Sequence, residues 1–294
     1  LIVKTIFVPV HKYDIKFACI CIASIRHWYP EIEISLIKDY TNGDFNINFI
    51  LKKFNVNVLI TDNKYFGWGY SKLEPIFLNR VDNFLVLDSD TVLTGPILNA
   101  VKNINTDFVV DDEVQTVERF NQIYYNLTAI NNIEPNFKYP GYSFNSGQWF
   151  GSFGKLNKEM FKKYLLFNEP PVSKFPNIIF NGDQSVLNFV LHKSEQDNLI
   201  SISRINLMIW PVNGNADFID LIKIKINSSE YPFVIHWAGI KHKLLKSFPR
   251  ADILLYFNKL FFSRFNIWQY MAIKSYLLYI DLIRNLKTLK QKFE

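Results

Sequence analysis

The residues best suited to chemistry stand in Phe84–Pro96, FLVLDSDTVLTGP, where four apolar residues run straight into Asp88 and Asp90 with only Ser89 between them. Two carboxylates that close repel each other, and a divalent cation relieves the repulsion. A cation held this way can bridge diphosphate oxygens and neutralise the charge of a leaving group. A polar turn after a buried strand is the plainer reading of the same letters. What tips the balance is the company the motif keeps.

Three more segments follow in order: Phe144–Gly147 (FNSG), Asn181–Gln184 (NGDQ) and His236–Gly239 (HWAG). Lys72 stands sixteen positions before Asp88. This series resembles the GT-A-fold glycosyltransferases, specifically the retaining group that contains glycogenin and the bacterial lipopolysaccharide α-galactosyltransferases. That group shows Asp-x-Asp after an apolar strand, then Asn-Ser-Gly, then Gly-Asp-Gln before a helix, then His-x-x-Gly. The resemblance covers residues 1–245. It implies a metal-dependent, retaining transfer of a hexose, galactose or glucose, from a UDP-sugar to a saccharide or glycolipid acceptor in cell-surface glycan synthesis.

Carried over by position, the resemblance makes Asp88, Asp90 and His236 the ligands of Mn²⁺ or Mg²⁺. It sets Lys72 against the donor sugar or phosphate, and Asn145 and Asp183 against donor-sugar hydroxyls. Gln184 falls near the anomeric carbon and forms the catalytic pair with Asp183. Tyr13 matches an aromatic that stacks on the nucleobase, and Ser89, Gly239 and Lys241 complete the donor-binding set. The family's lysine six residues after the motif histidine is His242 here, flanked by Lys241 and Lys243. Which lysine meets the diphosphate stays open. His11, His27, His192 and His242 match no motif and are expected to be structural or surface residues.

Two other readings compete. Asp88-Ser-Asp90-Thr91-Val92 also fits the nucleophile motif of haloacid-dehalogenase-like phosphatases, with Asp88 attacking phosphorus and Asp90 as acid/base. That motif usually ends the first strand of its core, and three strands are expected before it here. The third class is a non-catalytic protein that binds nucleotide sugars.

The elements that must position these residues are legible as an alternation. Strands are expected at Ile2–Val10, Glu33–Ile37, Val56–Thr61, Phe84–Leu87 and Tyr231–Ile235. Helices are expected at Ala18–His27, Phe49–Phe54, Lys72–Asn79 and Gln184–His192. The segments 131–140, 142–150 and 170–176 read as loops. Alternation of this kind predicts an α/β fold, Rossmann-like, with a mainly parallel central sheet flanked by helices. Ligands in such sheets bind beyond the carboxyl ends of the strands, so chemistry is expected after Val10, Thr61 and Leu87.

Composition supports a packed enzyme-sized body, with 49% hydrophobic and 20% charged residues in 294. Cys19 and Cys21, separated by one residue, are expected to be small buried hydrophobes in a reducing compartment. The charge is uneven. From Lys243 to Glu294 ten Lys/Arg face three acids, although the whole chain is only +6. Residues 246–294 therefore read as a basic, aromatic-rich helical appendage to a catalytic domain at 1–245. In its last stretch Tyr279, Leu282, Ile283, Leu286, Leu289 and Phe293 follow helical spacing, with Arg284, Lys287, Lys290 and Lys292 between them. Two readings of the tail stay open: a helix packed on the catalytic domain, or an anchor on an anionic membrane surface. No apolar run long enough for a transmembrane helix occurs. The expected location is cytoplasmic, peripheral on the inner face of the membrane, and no motif for nucleic acid accompanies the basic charge.

Overall fold

The first strand, β1 (Val3–His11), buries neighbours on both of its faces, with Ile6, Phe7 and Val8 fully enclosed. A strand apolar on both sides belongs in the middle of a sheet covered by helices. The structure, a computed structural model, describes residues 1–67, 69–239 and 244–293, with side chains described as far as 287. After β1 come α1 (Ile15–Trp28), β2 (Glu33–Asp39), α2 (Asn48–Phe54) and β3 (Val56–Val58). A 3-10 helix at Tyr70–Phe77 precedes β4 (Asn83–Leu87), β5 (Thr91–Leu93), α3 (Ile97–Val101), β6 (Phe108–Val110) and α4 (Val117–Ile123). Next are β7 (Gln148–Ser152), α5 (Lys158–Lys162) and the antiparallel pair β8 (Leu165–Leu166) and β9 (Val172–Ser173). Then follow α6 (Asp183–Gln196), β10 (Ile202–Arg204), β11 (Met208–Ile209), α7 (Leu221–Lys225) and β12 (Val234–His236). α8 (Ala251–Phe262) and α9 (Ile267–Phe293) complete the series.

Seven strands form the main sheet in the order β10-β6-β7-β4-β1-β2-β3. β1 runs parallel to β2 and β4, and β2 to β3, whereas β7 runs antiparallel between β4 and β6. One apolar core lies on the face carrying α1 and α8, with Ile6 and Val8 of β1 in it. The other holds Phe7, Phe84, Trp149 and the buried side of α6. A smaller sheet, β11-β12-β5, closes over the end of β4. The fold is the expected α/β one, with a mainly parallel sheet between helices.

Three expectations shift. Val56–Thr61 pairs only through Val58, and the loop beyond it supplies less of the site than the turn after β2 does. Lys72–Asn79 starts earlier and winds as a 3-10 helix, with Pro75 inside it lacking the N–H an α-helix would use. Within 142–150, read as a loop, Gln148 begins β7, a fully interior strand. Cys19 and Cys21 are buried free thiols, as expected. Burial pushes the Cys21 thiol up to about 12, so it stays protonated at neutral pH.

The C-terminal helices split in character. α8 buries Ile253, Leu254, Phe257 and Phe261 completely in the α1 core. α9 lays Ile273, Leu277 and Ile280 on the same core and ties down through Lys16–Asp281 at 3.1 Å. Asn46 N–H also donates to the Tyr276 hydroxyl at 2.7 Å. Of the stripe foreseen in the sequence, Tyr279, Leu282 and Leu286 instead face solvent. Leu289, Lys290, Lys292 and Phe293 lie beyond the described side chains. No helix among the described residues is long and apolar enough to cross a membrane.

Candidate active site

Strand pairing, more than local sequence, assembles the site. β4 delivers Asp88 to the sheet's carboxyl edge, after four buried residues, Phe84 to Leu87. β5 turns back from Asp90 and pairs with β12 so that His236 stands opposite Thr91, and Trp237 N–H donates to the Asp90 carbonyl at 3.0 Å. His236 Nε2 is thereby held 3.2 Å from Asp90 Oδ1 and 3.6 Å from Asp88 Oδ2. Among the described residues, one trio of possible metal ligands comes together: Asp88, Asp90 and His236, with ligand atoms within 4.8 Å of one another.

The imidazole is positioned on all sides. Trp210 stacks on its ring with centroids 5.0 Å apart, and Met208 Sδ lies 3.4 Å from Nδ1. Its Nε2 is buried and makes no hydrogen bond, although it faces two carboxylates. An octahedral cation with bonds of about 2.1 Å sets adjacent donors about 3 Å apart. The orphaned nitrogen and the acid pair therefore fit a divalent ion.

The antiparallel pairing of β7 with β4 sets the Asn-Ser-Gly segment beside Asp88, whose N–H donates to the Gly147 carbonyl at 2.8 Å. Gly147 is required by contact. A Cβ there would fall 2.4 Å from His236 Cε1 and 2.8 Å from Asn145 Oδ1. Gly147→Ala should therefore push His236 off the acid pair. We expect at least about a tenfold loss of Mn²⁺ affinity, since outer-shell changes at metal sites cost 10–100-fold. Calorimetric titration of the folded variant checks this, and unchanged affinity would show that the ring tolerates displacement.

Lys72 anchors the acidic side. Its ammonium is buried 2.8 Å from Asp88 Oδ1, 2.9 Å from Asp183 Oδ2 and 3.2 Å from Ser146 Oγ. Burial opposes its charge, but Asp183 and Asp88 outweigh burial and hold the ammonium above its usual range. Burial pushes the Asp88 carboxyl up; Lys72 opposes that rise and Asp90 adds to it. Asp183 opens α6 as its first residue, with Gly182 in the capping position making no side-chain cap bond. Its carboxylate is committed to Lys72 and does not serve as the helix's N-cap. Gln184 Oε1 accepts from Asn145 Nδ2 at 2.9 Å, which ties the second motif to the third.

Lys72 and the acid pair border a cleft of about 300 Å³. Lys72, Asp88, Ser89 and Asp90 line it, together with Asp39, Thr41 and Gly67. His11 and Asp14, 2.8 Å apart, line it as well. His11, expected to be structural or surface, is thus a cleft residue that sequence reasoning missed; the signal was its place directly after the first apolar strand. Tyr13 does not line the cleft. Its carbonyl accepts from Arg284, and Lys287 of α9 stands over its ring at 5.8 Å. Gly239 carries a positive φ of 77° with open space around its Cβ direction. Lys241 lies outside the described residues, as do His242 and Lys243.

No family model matches this chain, and no curated protein sequence does. Solved structures do. The bifunctional glycosyltransferase WbbM matches with TM-score 0.55 and 14% identity, over 89% of this chain and 51% of that one. The galactosyltransferase LgtC, in complex with donor and acceptor sugar analogues, matches with TM-score 0.53 and 13% identity, over 90% of this chain and 97% of that one. The chain has the GT-A fold. GlyE of Streptococcus pneumoniae TIGR4 shares it, with TM-score 0.51 and 16% identity over 87% of this chain and 60% of GlyE. In this GT-A chain all four sequence motifs converge on one strand end, although they are spread over about 150 residues of sequence.

Proposed function

We propose that this chain is a metal-dependent retaining glycosyltransferase that moves a hexose, galactose or glucose, from a UDP-sugar to a saccharide acceptor in the synthesis of a cell-surface glycan such as lipopolysaccharide. The observation that carries the reading is the trio Asp88, Asp90 and His236, set beside Lys72, with both acids and Lys72 lining a cleft in a GT-A fold. The motif resemblance supports UDP, and the likeness to a galactosyltransferase supports galactose. Residues 1–245 form the catalytic part on this reading, and 246–294 the appendage.

Asp88, Asp90 and His236 would hold Mn²⁺ or Mg²⁺, which when bound neutralises charge on the departing diphosphate. Lys72 brings a fixed positive charge to the cleft, where its ion pairs also hold Asp88 and Asp183 in place. Asn145 and Asp183 bind donor-sugar hydroxyls, and Gln184 stands near the anomeric carbon. Ser89 and Gly239 border the diphosphate, with Lys241 or Lys243 as its second cation. Incubation with UDP-hexoses, Mn²⁺ and an acceptor panel, followed by UDP release, tests the whole reading. Failure to turn over any UDP-hexose would defeat it.

Retention is inferred from the motif resemblance to a retaining group, whose donor pocket has no dedicated base beside the residues matched by Asp183 and Gln184. Gln184 is an amide, and Asp183, the adjacent carboxylate, is engaged by Lys72 at 2.9 Å. The C1–O bond to phosphate breaks, the acceptor oxygen bonds C1 on the same face, and the acceptor proton passes to the leaving phosphate. The product is expected to be α-linked. A proton spectrum with the large anomeric coupling of a β-hexoside would contradict this. Gln184→Ala should lower kcat more than donor affinity.

The tail is proposed to rest on an anionic membrane at the cytoplasmic face. Trp268, Met271, Tyr279 and Leu282 of α9 are more than half exposed, an apolar and aromatic face interleaved with basic residues. Full-length protein is expected to sediment with vesicles rich in phosphatidylserine and to be released by salt. The Trp268→Ala/Leu282→Ser variant should sediment less. If the parent stays in the supernatant at low salt, the tail does not hold a membrane.

A further inference from the structure

A second, larger cavity lies away from the acid trio. It is a groove of about 670 Å³ between α8 and α9, more than twice the volume of the donor cleft. Leu245, Leu255, Phe262, Leu277 and Leu278 form its apolar walls, and its charged lining is four lysines and one aspartate. That aspartate, Asp281, is paired with Lys16. Among the described residues the other three amines, Lys246, Lys259 and Lys274, face no carboxylate partner.

This is the chemistry of an amphiphile site. Ligand pockets of several hundred Å³ are mostly apolar, with a few charged groups that fix orientation. Long lysine side chains keep their heads in water while their stems cover apolar surface, which suits the exposed Lys259 and Lys274 on the lining to a charged rim. An apolar trough with a cationic rim selects an apolar chain ending in an anion. The surroundings indicate where that chain comes from. Leu244, Leu255 and Leu278 line the groove yet are 67%, 43% and 58% exposed, so the trough continues outward as an apolar lip. The same helix carries Trp268 and Met271, both exposed.

We propose that the groove between α8 and α9 seats one acyl chain of an anionic bilayer phospholipid, with its phosphate held by Lys246, Lys259 and Lys274. The proposal rests on the membrane reading of the tail and deepens it. Contact by the exposed face alone would be a diffuse surface attraction. A seated chain makes it a stoichiometric site, and fixes the donor cleft at one height above the bilayer. Lys16, on the groove wall, is two residues from Asp14 in that cleft.

The test separates the groove from general membrane attraction. Full-length protein is titrated calorimetrically with monomeric dodecyl phosphate, with inorganic phosphate and dodecyltrimethylammonium as chain-free and cationic controls. Saturable binding of one dodecyl phosphate per chain is expected, with neither control binding. Leu278→Asp and Lys259→Glu/Lys274→Glu change exposed side chains, and thermal melts check that each still folds. Each should weaken dodecyl phosphate at least about fivefold, the scale of one basic residue near an anionic surface. Trp268→Ala/Leu282→Ser, outside the groove, should leave this titration unchanged while reducing vesicle sedimentation. If vesicles sediment but dodecyl phosphate does not bind, or binds the groove variants equally, the groove proposal is overturned and the membrane reading stands. If dodecyl phosphate binds and no vesicle sediments, a bilayer phospholipid is not the occupant and the proposal is overturned with it.

Discussion

Asp90→Asn is expected to lower transfer at least about 100-fold, and EDTA should do the same to the parent protein, with Mn²⁺ restoring it. The size follows from what Asp90 does. It is 3% exposed and lies 3.2 Å from His236 Nε2, so its charge acts in a medium that screens poorly. Asparagine keeps the shape and one oxygen but removes the charge that, on the proposed function, would hold a divalent ion beside a second carboxylate. A hundredfold loss corresponds to about 2.7 kcal/mol of lost transition-state stabilisation, within the several kcal/mol that charge neutralisation by a metal supplies. Asp88→Asn should behave alike. Two measurements apply: UDP release, and Mn²⁺ binding followed by its paramagnetic resonance, which needs no turnover. Full activity in chelator would remove the metal from the reading. Mn²⁺ binding that survives Asp90→Asn unchanged would remove Asp90 from the ligand set.

The acid pair was legible because its cause is local. Phe84, Leu85, Val86 and Leu87 form a short apolar run that reads as a buried strand after three earlier ones, and the two acids mark its end. β7 was not legible, although it lies between β4 and β6. Its sequence Gln148-Trp149-Phe150-Gly151-Ser152 mixes a polar residue and a glycine into a short run. The glycine has a tertiary reason: a Cβ at Gly151 would fall 2.8 Å from Phe84 and 2.9 Å from Phe108 on the flanking strands. Gln148 is enclosed with its amide unpaired, which no polarity pattern would foretell. Tyr13 illustrates the opposite limit. Its place after β1 was right for a cleft residue, but which residue of the turn faces the cleft depends on α9 packing from more than 250 positions away. His11 and Asp14 took the inward places.

The pairing least visible in the sequence is Lys72 with Asp183, across 111 positions, and its removal should have the second large effect. Lys72→Met is expected to cost about 3–5 kcal/mol of stability, because it leaves buried carboxylates without their counter-charge. It should also lower kcat/KM by about 10²-fold, since a preorganised cation at the leaving group contributes on the order of 3 kcal/mol to the transition state. The two losses have different origins and can be separated. In Lys72→Met/Asp183→Asn one stranded charge is neutralised, so part of the lost stability should return in a urea melt. On the proposed function activity should not return with it, because the cation is still missing and the carboxylate assigned to the donor sugar is gone as well. The double variant thus asks whether Lys72 acts on the donor or only supports Asp183. If neutralising Asp183 restores stability and turnover together, Lys72 is a structural partner alone. If stability returns and kcat/KM stays well below that of Asp183→Asn alone, the ammonium works on the donor.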